Sequence, residues 1–380
     1  MHVQHARFVI QLTLLGCLTL SGCSSTRSST TNDGAVLDLS QSDSATRADG
    51  KTAAADATPD ATPVTPIPAV DILLVIDDSY SMLPNQTKLM QGVDTLIDGL
   101  LINGALPDLH IGVVSTDLGT PSRLNGCAQS DQGKLQNAPT TANCTPPSDG
   151  YISHQSQKIN VPNASDPIQG VKDALRCIGI LGTGGCGFEQ QLESMALALD
   201  VKNNPGFRRP GAVLGVLILS DEDDCSASDG SIFDPAASLT SSLGKLGSFR
   251  CFEFGVTCDV DDRTVAGARM SCQPRAASDP KNMLFTIDRY SQLIRGLTGA
   301  DRAVVAVIAG PPHSVGVKIE IRDDPALEPS CQTANGVAAP AVRLASFANT
   351  FGKDGLFSSI CESDYGATLS AFAKALIGKL

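Results

Sequence analysis

Asp77-Asp78-Ser79-Tyr80-Ser81 brings carboxylates and hydroxyls together with no nitrogen or sulfur donor among them. Such a set suits a hard cation, above all Mg²⁺, which takes near-octahedral oxygen ligands and keeps some of its waters. Mn²⁺ and Ca²⁺ are compatible with the same donors. The D-x-S-x-S spacing also serves as a helix N-cap with local hydroxyl bonding, so its context has to decide. Other acidic groups that could join it are the run Asp221-Glu222-Asp223-Asp224 and Asp117. Of the run, Asp221 is favoured as a ligand, while Asp223 and Asp224 are candidates for outer-shell hydrogen bonds or a second cation site. No Gly-x-Ser-x-Gly elbow or Gly-x-x-x-x-Gly-Lys loop is present, and His110, His154 and His313 are scattered, so no catalytic residue is assigned. Metal-assisted hydrolysis by Asp77 with the Asp221–Asp224 cluster is the enzymatic alternative, and it lacks an identified base.

The elements needed to position these groups follow from hydrophobic patterning. Val70–Ile76 is a nearly unbroken aliphatic run, the pattern of a strand buried on both faces of a parallel sheet, and it ends at Asp77. Leu89, Val93, Leu96, Ile97 and Leu100 then fall at helical spacing, and Leu109–Val114 reads as a second strand. Asp166-Pro167 starts a helix carrying Ile168, Val171, Leu175 and Ile178. After a glycine-rich turn over Gly182–Gly187, a helix with Leu192, Met195, Ala196 and Leu199 precedes a strand at Ala212–Leu219, which delivers Asp221. Helix 287–297, strand 303–309, helix 341–351, strand 355–360 and a closing helix 365–380 continue the alternation. The implied fold is α/β, a doubly wound, mostly parallel open sheet whose crevice lies at the carboxyl ends of the strands. Residues 120–162 and 226–282 read as cysteine-bearing insertions, the first a hairpin or loop region and the second mostly loop.

With a buried strand before it and an amphipathic helix after it, the D-x-S-x-S sequence resembles that of the von Willebrand factor A family, over roughly residues 70–380. The resemblance implies a Rossmann-like fold with a metal-ion-dependent adhesion site. Ser79 and Ser81 would coordinate directly, Asp77 mainly through water, and Asp221 would fill the aspartate position after a later strand. The family's Gly-x-Thr is replaced by Gly187-Phe188-Glu189. Glu189 is therefore either a carboxylate ligand or a residue that favours the helix N-terminal dipole. The passages Phe207-Arg208-Arg209-Pro210-Gly211 and Ser220–Ser226 resemble the cysteine-bearing A-domain lipoproteins of Gram-negative bacteria, which implies an outer-membrane or cell-surface role.

Residues 1–22 read as an export signal, with an apolar run from Phe8 to Leu20 too short to remain a membrane span. Leu20-Ser21-Gly22-Cys23 resembles a bacterial lipobox, which implies acylation of Cys23 and stable membrane attachment. Ser24 and Ser25 carry no acidic retention signal, which favours the outer membrane. Residues 23–69, dominated by Ser, Thr, Ala, Asp and Pro, bury too little apolar surface to fold and read as a disordered tether. Of 12 cysteines, setting aside Cys17 and Cys23 leaves ten, an even number suited to disulfides in an exported chain. Proximity in sequence suggests Cys127 with Cys144, Cys177 with Cys186 and Cys251 with Cys258. Cys225, Cys272, Cys331 and Cys361 would then pair among themselves, the connectivity being open. A formal charge of −12 argues against nucleic-acid partners. The expected function is a membrane-anchored module that binds a partner protein through a divalent cation, the partner supplying an acidic side chain. The alternative is a disulfide-braced structural lipoprotein with a degenerate metal site.

Overall fold

The computed structural model describes residues 68–380 apart from 122–126, 128–129, 140–143, 236–237, 239, 300 and 321–323. The expected export signal, Cys23 and the tether up to residue 67 lie outside the described residues. In chain order the first elements are β1 (Ala69–Ile76), α1 (Leu83–Gln91), α2 (Val93–Gly99), β2 (Asp108–Ser115), β3 (Ile152–Gln155), β4 (Lys158–Ile159) and α3 (Pro167–Ile178). There follow α4 (Gln191–Ala198), β5 (Val213–Leu219), α5 (Phe249–Gly255), β6 (Val256–Thr257), β7 (Gly267–Arg269), β8 (Gln273–Pro274) and α6 (Ile287–Thr298). The remainder comprises β9 (Ala303–Ala309), β10 (Val315–Ile319), β11 (Pro325–Leu327), β12 (Cys331–Thr333), β13 (Gly336–Ala338), α7 (Val342–Asn349), β14 (Gly355–Ser359) and α8 (Gly366–Ile377).

The main sheet has seven strands in the order β14-β9-β5-β1-β2-β3-β4. β14, β9, β5, β1 and β2 run parallel, and the β3–β4 hairpin is added antiparallel beyond β2. Val70–Ile76 is fully buried because helices cover both faces. Val70, Ile72, Leu74 and Ile76 pack with residues of α1, α2, α3 and α8, whereas Leu73 and Val75 pack with residues of α4, α6 and α7. Each such aliphatic side chain contributes roughly 1.5–3 kcal/mol on burial. In register, Ile76 lies opposite Ser115 of β2 and Leu219 of β5, so the residues after these three positions emerge together at one edge. β1 sits where the chain order reverses, the place at which a doubly wound sheet opens a crevice.

Several expectations need adjustment. The helix expected through Leu89–Leu100 is two, α1 and α2, meeting at Gly92, where a Cβ would lie 2.3 Å from Leu369 Cδ1 of α8. Residues 120–162, expected as an insertion outside the core, contain the β3–β4 hairpin, which belongs to the main sheet, with Ile152 fully buried. The region 226–282 carries α5 and β6–β8, and β7 joins β10 and β11 in a separate three-stranded antiparallel sheet. All ten cysteines beyond residue 23 form disulfides: Cys127–Cys186, Cys144–Cys177, Cys225–Cys251, Cys258–Cys272 and Cys331–Cys361. The pairings by sequence proximity are therefore wrong for Cys127, Cys144, Cys177, Cys186, Cys251 and Cys258, and of the four cysteines left to pair among themselves only Cys331 and Cys361 do, Cys225 and Cys272 joining Cys251 and Cys258. The folded sheet brings the loop after β2 against the glycine-rich turn, and α3 against the approach to β3, so spatial neighbours win. Among the described residues no helix is long and apolar enough to cross a membrane.

Candidate metal centre

Asp77 follows β1 directly, and its N–H donates to Leu219 O of β5 at 3.0 Å, which fixes it between the two strands. The Asp77 carboxyl is fully buried. Its Oδ1 accepts the Ser79 N–H at 2.8 Å and its Oδ2 accepts the Ser220 hydroxyl at 2.6 Å. The Ser79 and Ser81 hydroxyls lie 3.4 Å apart, and the Ser81 side chain bonds to Asp221. Gln86 of α1 locks this loop: its amide donates to Asp77 O at 2.8 Å and Gly182 O at 2.9 Å. Its Oε1 accepts the Leu181 and Gly182 N–H groups at 3.0 and 3.1 Å. The Gly185 N–H donates to Asp78 O, and a Cβ at Gly185 would stand 2.4 Å from Asp78 Oδ1, so glycine is needed for this approach.

Glu189 is brought to the same edge by the segment leading into α4 and is 1% exposed. Its Oε2 accepts the Thr116 hydroxyl at 2.5 Å, while Oε1 has no hydrogen-bond partner among the described residues. Asp221 Oδ1 is likewise buried without a partner. Such atoms are costly unless something compensates them. Burial raises the pKa of Asp77, and that of Glu189 well above its usual range, with the Asp77 charge as the second cause for Glu189. Burial and then Asp77 lift Asp221 to about 7. Thus Asp77, Glu189 and Asp221 act on one another, and no Lys, Arg or His among the described residues is one of the main groups that shift them.

The other candidates are placed differently. Asp117 Oδ1 accepts the Gly119 N–H at 2.7 Å, and its carboxyl also takes the Cys186 N–H. It is the largest charge influence on Asp78, whose pKa rises to about 7 from burial first and Asp117 second. Asp223 accepts the Arg343 and Leu344 N–H groups at the start of α7. Asp224 Oδ2 is ion-paired with Arg343 Nη2 at 2.8 Å, and its Oδ1 accepts the Leu192 N–H and the Ser226 hydroxyl. Both carboxylates are thereby committed to holding α7 and α4. Glu222 stands in the same acidic run, and the sequence gives it no role of its own. It is half-buried, and burial, then Asp221, then Asp77 lift it to about 8. Its position beside Asp221 was the signal that could have found it.

The donor set fits a hard divalent cation: hydroxyls from Ser79 and Ser81, carboxylates from Asp77, Asp221 and Glu189, and two carboxyl oxygens with no partner. Among the described residues no three His, Cys, Asp or Glu side chains form a metal-holding group by themselves. The serine hydroxyls and water would therefore be needed to complete a coordination shell.

No protein-family model matches this sequence, and no curated protein does. Among solved structures, the chain is similar to the proximal thread matrix protein 1 of the mussel byssus, at 11% identity and a TM-score of 0.32 over 82% of this chain and 48% of that one. It is similar to a von Willebrand factor type A protein from Catenulispora acidiphila at 11% identity and a TM-score of 0.32, over 82% and 43% of the two chains. The pilus adhesin SpaC from Lactobacillus rhamnosus GG is 13% identical, with a TM-score of 0.35 over 82% and 31%. The chain spans less than half the length of each of these proteins.

Proposed function

We propose that this chain is an adhesion-type binding module of the bacterial cell envelope that engages a partner protein through a divalent cation, Mg²⁺ by preference. Ser79, Ser81, Asp77 and Asp221 would hold the ion, with Glu189 as a carboxylate where a von Willebrand factor A domain has threonine. The observation that carries this reading is the pair of buried, unpartnered carboxyl oxygens on Asp221 and Glu189, set beside a hydroxyl-lined loop at the sheet's switch point. A bound cation supplies positive charge and an exchangeable position for a partner's acidic side chain. Asp77 orients the loop through the Ser79 amide, and Gln86 and Ser220 hold Asp77 in place. We read the chain as a binding protein and not as an enzyme, since no nucleophile and base are paired in the sequence.

Five disulfides fit an oxidising, extracytoplasmic compartment. The Leu20-Ser21-Gly22-Cys23 sequence supports lipid anchoring at Cys23, with the outer membrane of a Gram-negative cell as the destination. Cys23→Ser should then move the protein from the membrane fraction to the soluble fraction on cell fractionation.

The deciding experiment is calorimetric titration of Mg²⁺, Mn²⁺ and Ca²⁺ into the oxidised chain and into Asp77→Ala and Glu189→Ala variants. Saturable binding that Asp77→Ala abolishes supports the cation site, and a weakened isotherm in Glu189→Ala makes Glu189 a ligand. If the folded wild-type chain takes up none of the three ions, the reading fails, and a disulfide-braced envelope scaffold replaces it.

A further inference from the structure

The main sheet ends on one side at β14, which pairs with β9 and, among the described residues, with no strand beyond it. β9 is buried along its whole length, whereas every residue of β14 is half-buried. A strand paired on one side only turns a row of N–H and C=O groups outward, a template for another strand that proteins blunt with charge, proline or shortness. The opposite edge obeys this rule: β4 is two residues long and begins with Lys158. β14 does not, since Gly355-Leu356-Phe357-Ser358-Ser359 holds neither a charge nor a proline. Phe357, Ser358 and Ser359 all line a groove of about 500 Å³, with Ala345 and Asn349 of α7 as its wall. Successive strand side chains point to opposite faces, so lining by three in a row places the groove along the free edge. Charges stand just outside the two ends of the strand. Before it, the Lys353 side chain is 88% exposed and its one ion pair among the described residues is with the adjacent Asp354, at 3.4 Å. After it, Glu362 is exposed, and Lys88 donates to its main-chain oxygen at 2.9 Å while its carboxylate forms no ion pair among the described residues.

We propose that β14 pairs antiparallel with β14 of a second copy of this chain across a two-fold axis, joining the two sheets into one. With Phe357 of one copy opposite Ser358 of the other, position 353 falls opposite position 362 at both ends, so each Lys353 meets a Glu362. The edge is thereby self-complementary, as an isologous interface must be. The flanking charges also set the direction, since in-register parallel pairing would bring like charges together. Antiparallel pairing points the carboxyl edges of the two sheets in opposite directions, and the dimer holds its two candidate metal centres at opposite ends, a form suited to bridging two partner molecules. That consequence rests on the proposed cation site, whereas the pairing does not.

The test is sedimentation velocity of the oxidised chain over concentrations rising to millimolar, with amide hydrogen exchange at both extremes and chelator present throughout, so that the result is independent of any cation. The expected result is a concentration-dependent dimer in which protection of residues 355–359 rises with concentration. Lys353→Glu and Glu362→Lys, both on exposed side chains, should each weaken dimerisation at least fivefold, and the double variant, with the charges exchanged, should recover most of the wild-type affinity. A chain that stays monomeric at millimolar concentration overturns the proposal. So does a dimer whose added protection lies away from β14, one that neither single variant weakens, or a double variant that recovers nothing.

Discussion

Arg343 and Asp224 are both almost wholly buried and reach each other at 2.8 Å, so neither charge has water to fall back on. Arg343→Met leaves the Asp224 carboxylate without its cation, and the expected cost is roughly 3–5 kcal/mol, read as a lower urea midpoint. Glu222 predicts the opposite sign. Its carboxyl is held protonated up to about pH 8 by burial and by the charges of Asp221 and Asp77. Glu222→Gln removes that repulsion, so the cation-free variant should have a higher melting temperature than wild type at pH 8 and match it at pH 5. The two residues lie in the same acidic loop and in the sequence look alike. Only the identity of the neighbour, an arginine for Asp224 and two further carboxylates for Glu222, separates a structural acid from a frustrated one.

At the scale of elements, the disulfides make a graded prediction. Cys127–Cys186 closes a sequence separation of 59 and Cys258–Cys272 one of 14. If chain entropy dominates, replacing the first pair with serines should cost about 1 kcal/mol more than replacing the second, by denaturant titration. Neither pairing was legible in the sequence, because pairing depends on which loops the sheet stacks together. The parallel strands were legible: β1, β5 and β9 are continuous aliphatic runs that only a doubly covered sheet can hide, and Asp166-Pro167 announced α3 by supplying the cap that accepts the Ile168 and Gln169 N–H groups. β6–β8 and β10–β13 were not, being two to five residues long and paired across distant segments. Of the candidate site, D-x-S-x-S and Asp221 could be read from their place after strong strands. The roles of Asp223, Asp224 and Gln86 could not, since each is set by a contact with a remote element.

For the molecule as a whole, the acidic edge predicts how stability depends on pH. Asp78 and Asp221 titrate near 7 and Glu222 near 8 in the folded chain, against ordinary values of 3.8 and 4.5 in the unfolded one. The folded state therefore holds more protons between these limits, and its stability falls as pH rises through that window. The cation-free protein should melt at a higher temperature at pH 5 than at pH 8, and Mg²⁺ should restore the loss at pH 8 if the cation site is real; thermal melts with and without chelator check both. The position of β1 carries a consequence of a mechanical kind. The chain enters the sheet at Ala69 and, eight residues later, reaches the loop of Asp77 at the other edge, with β2 and β5 hydrogen-bonded along either side. A pull between the segment before Ala69 and anything gripped at that loop would load β1 along its length, so that its bonds to both neighbours bear the force together in shear and do not open one after another like a zip.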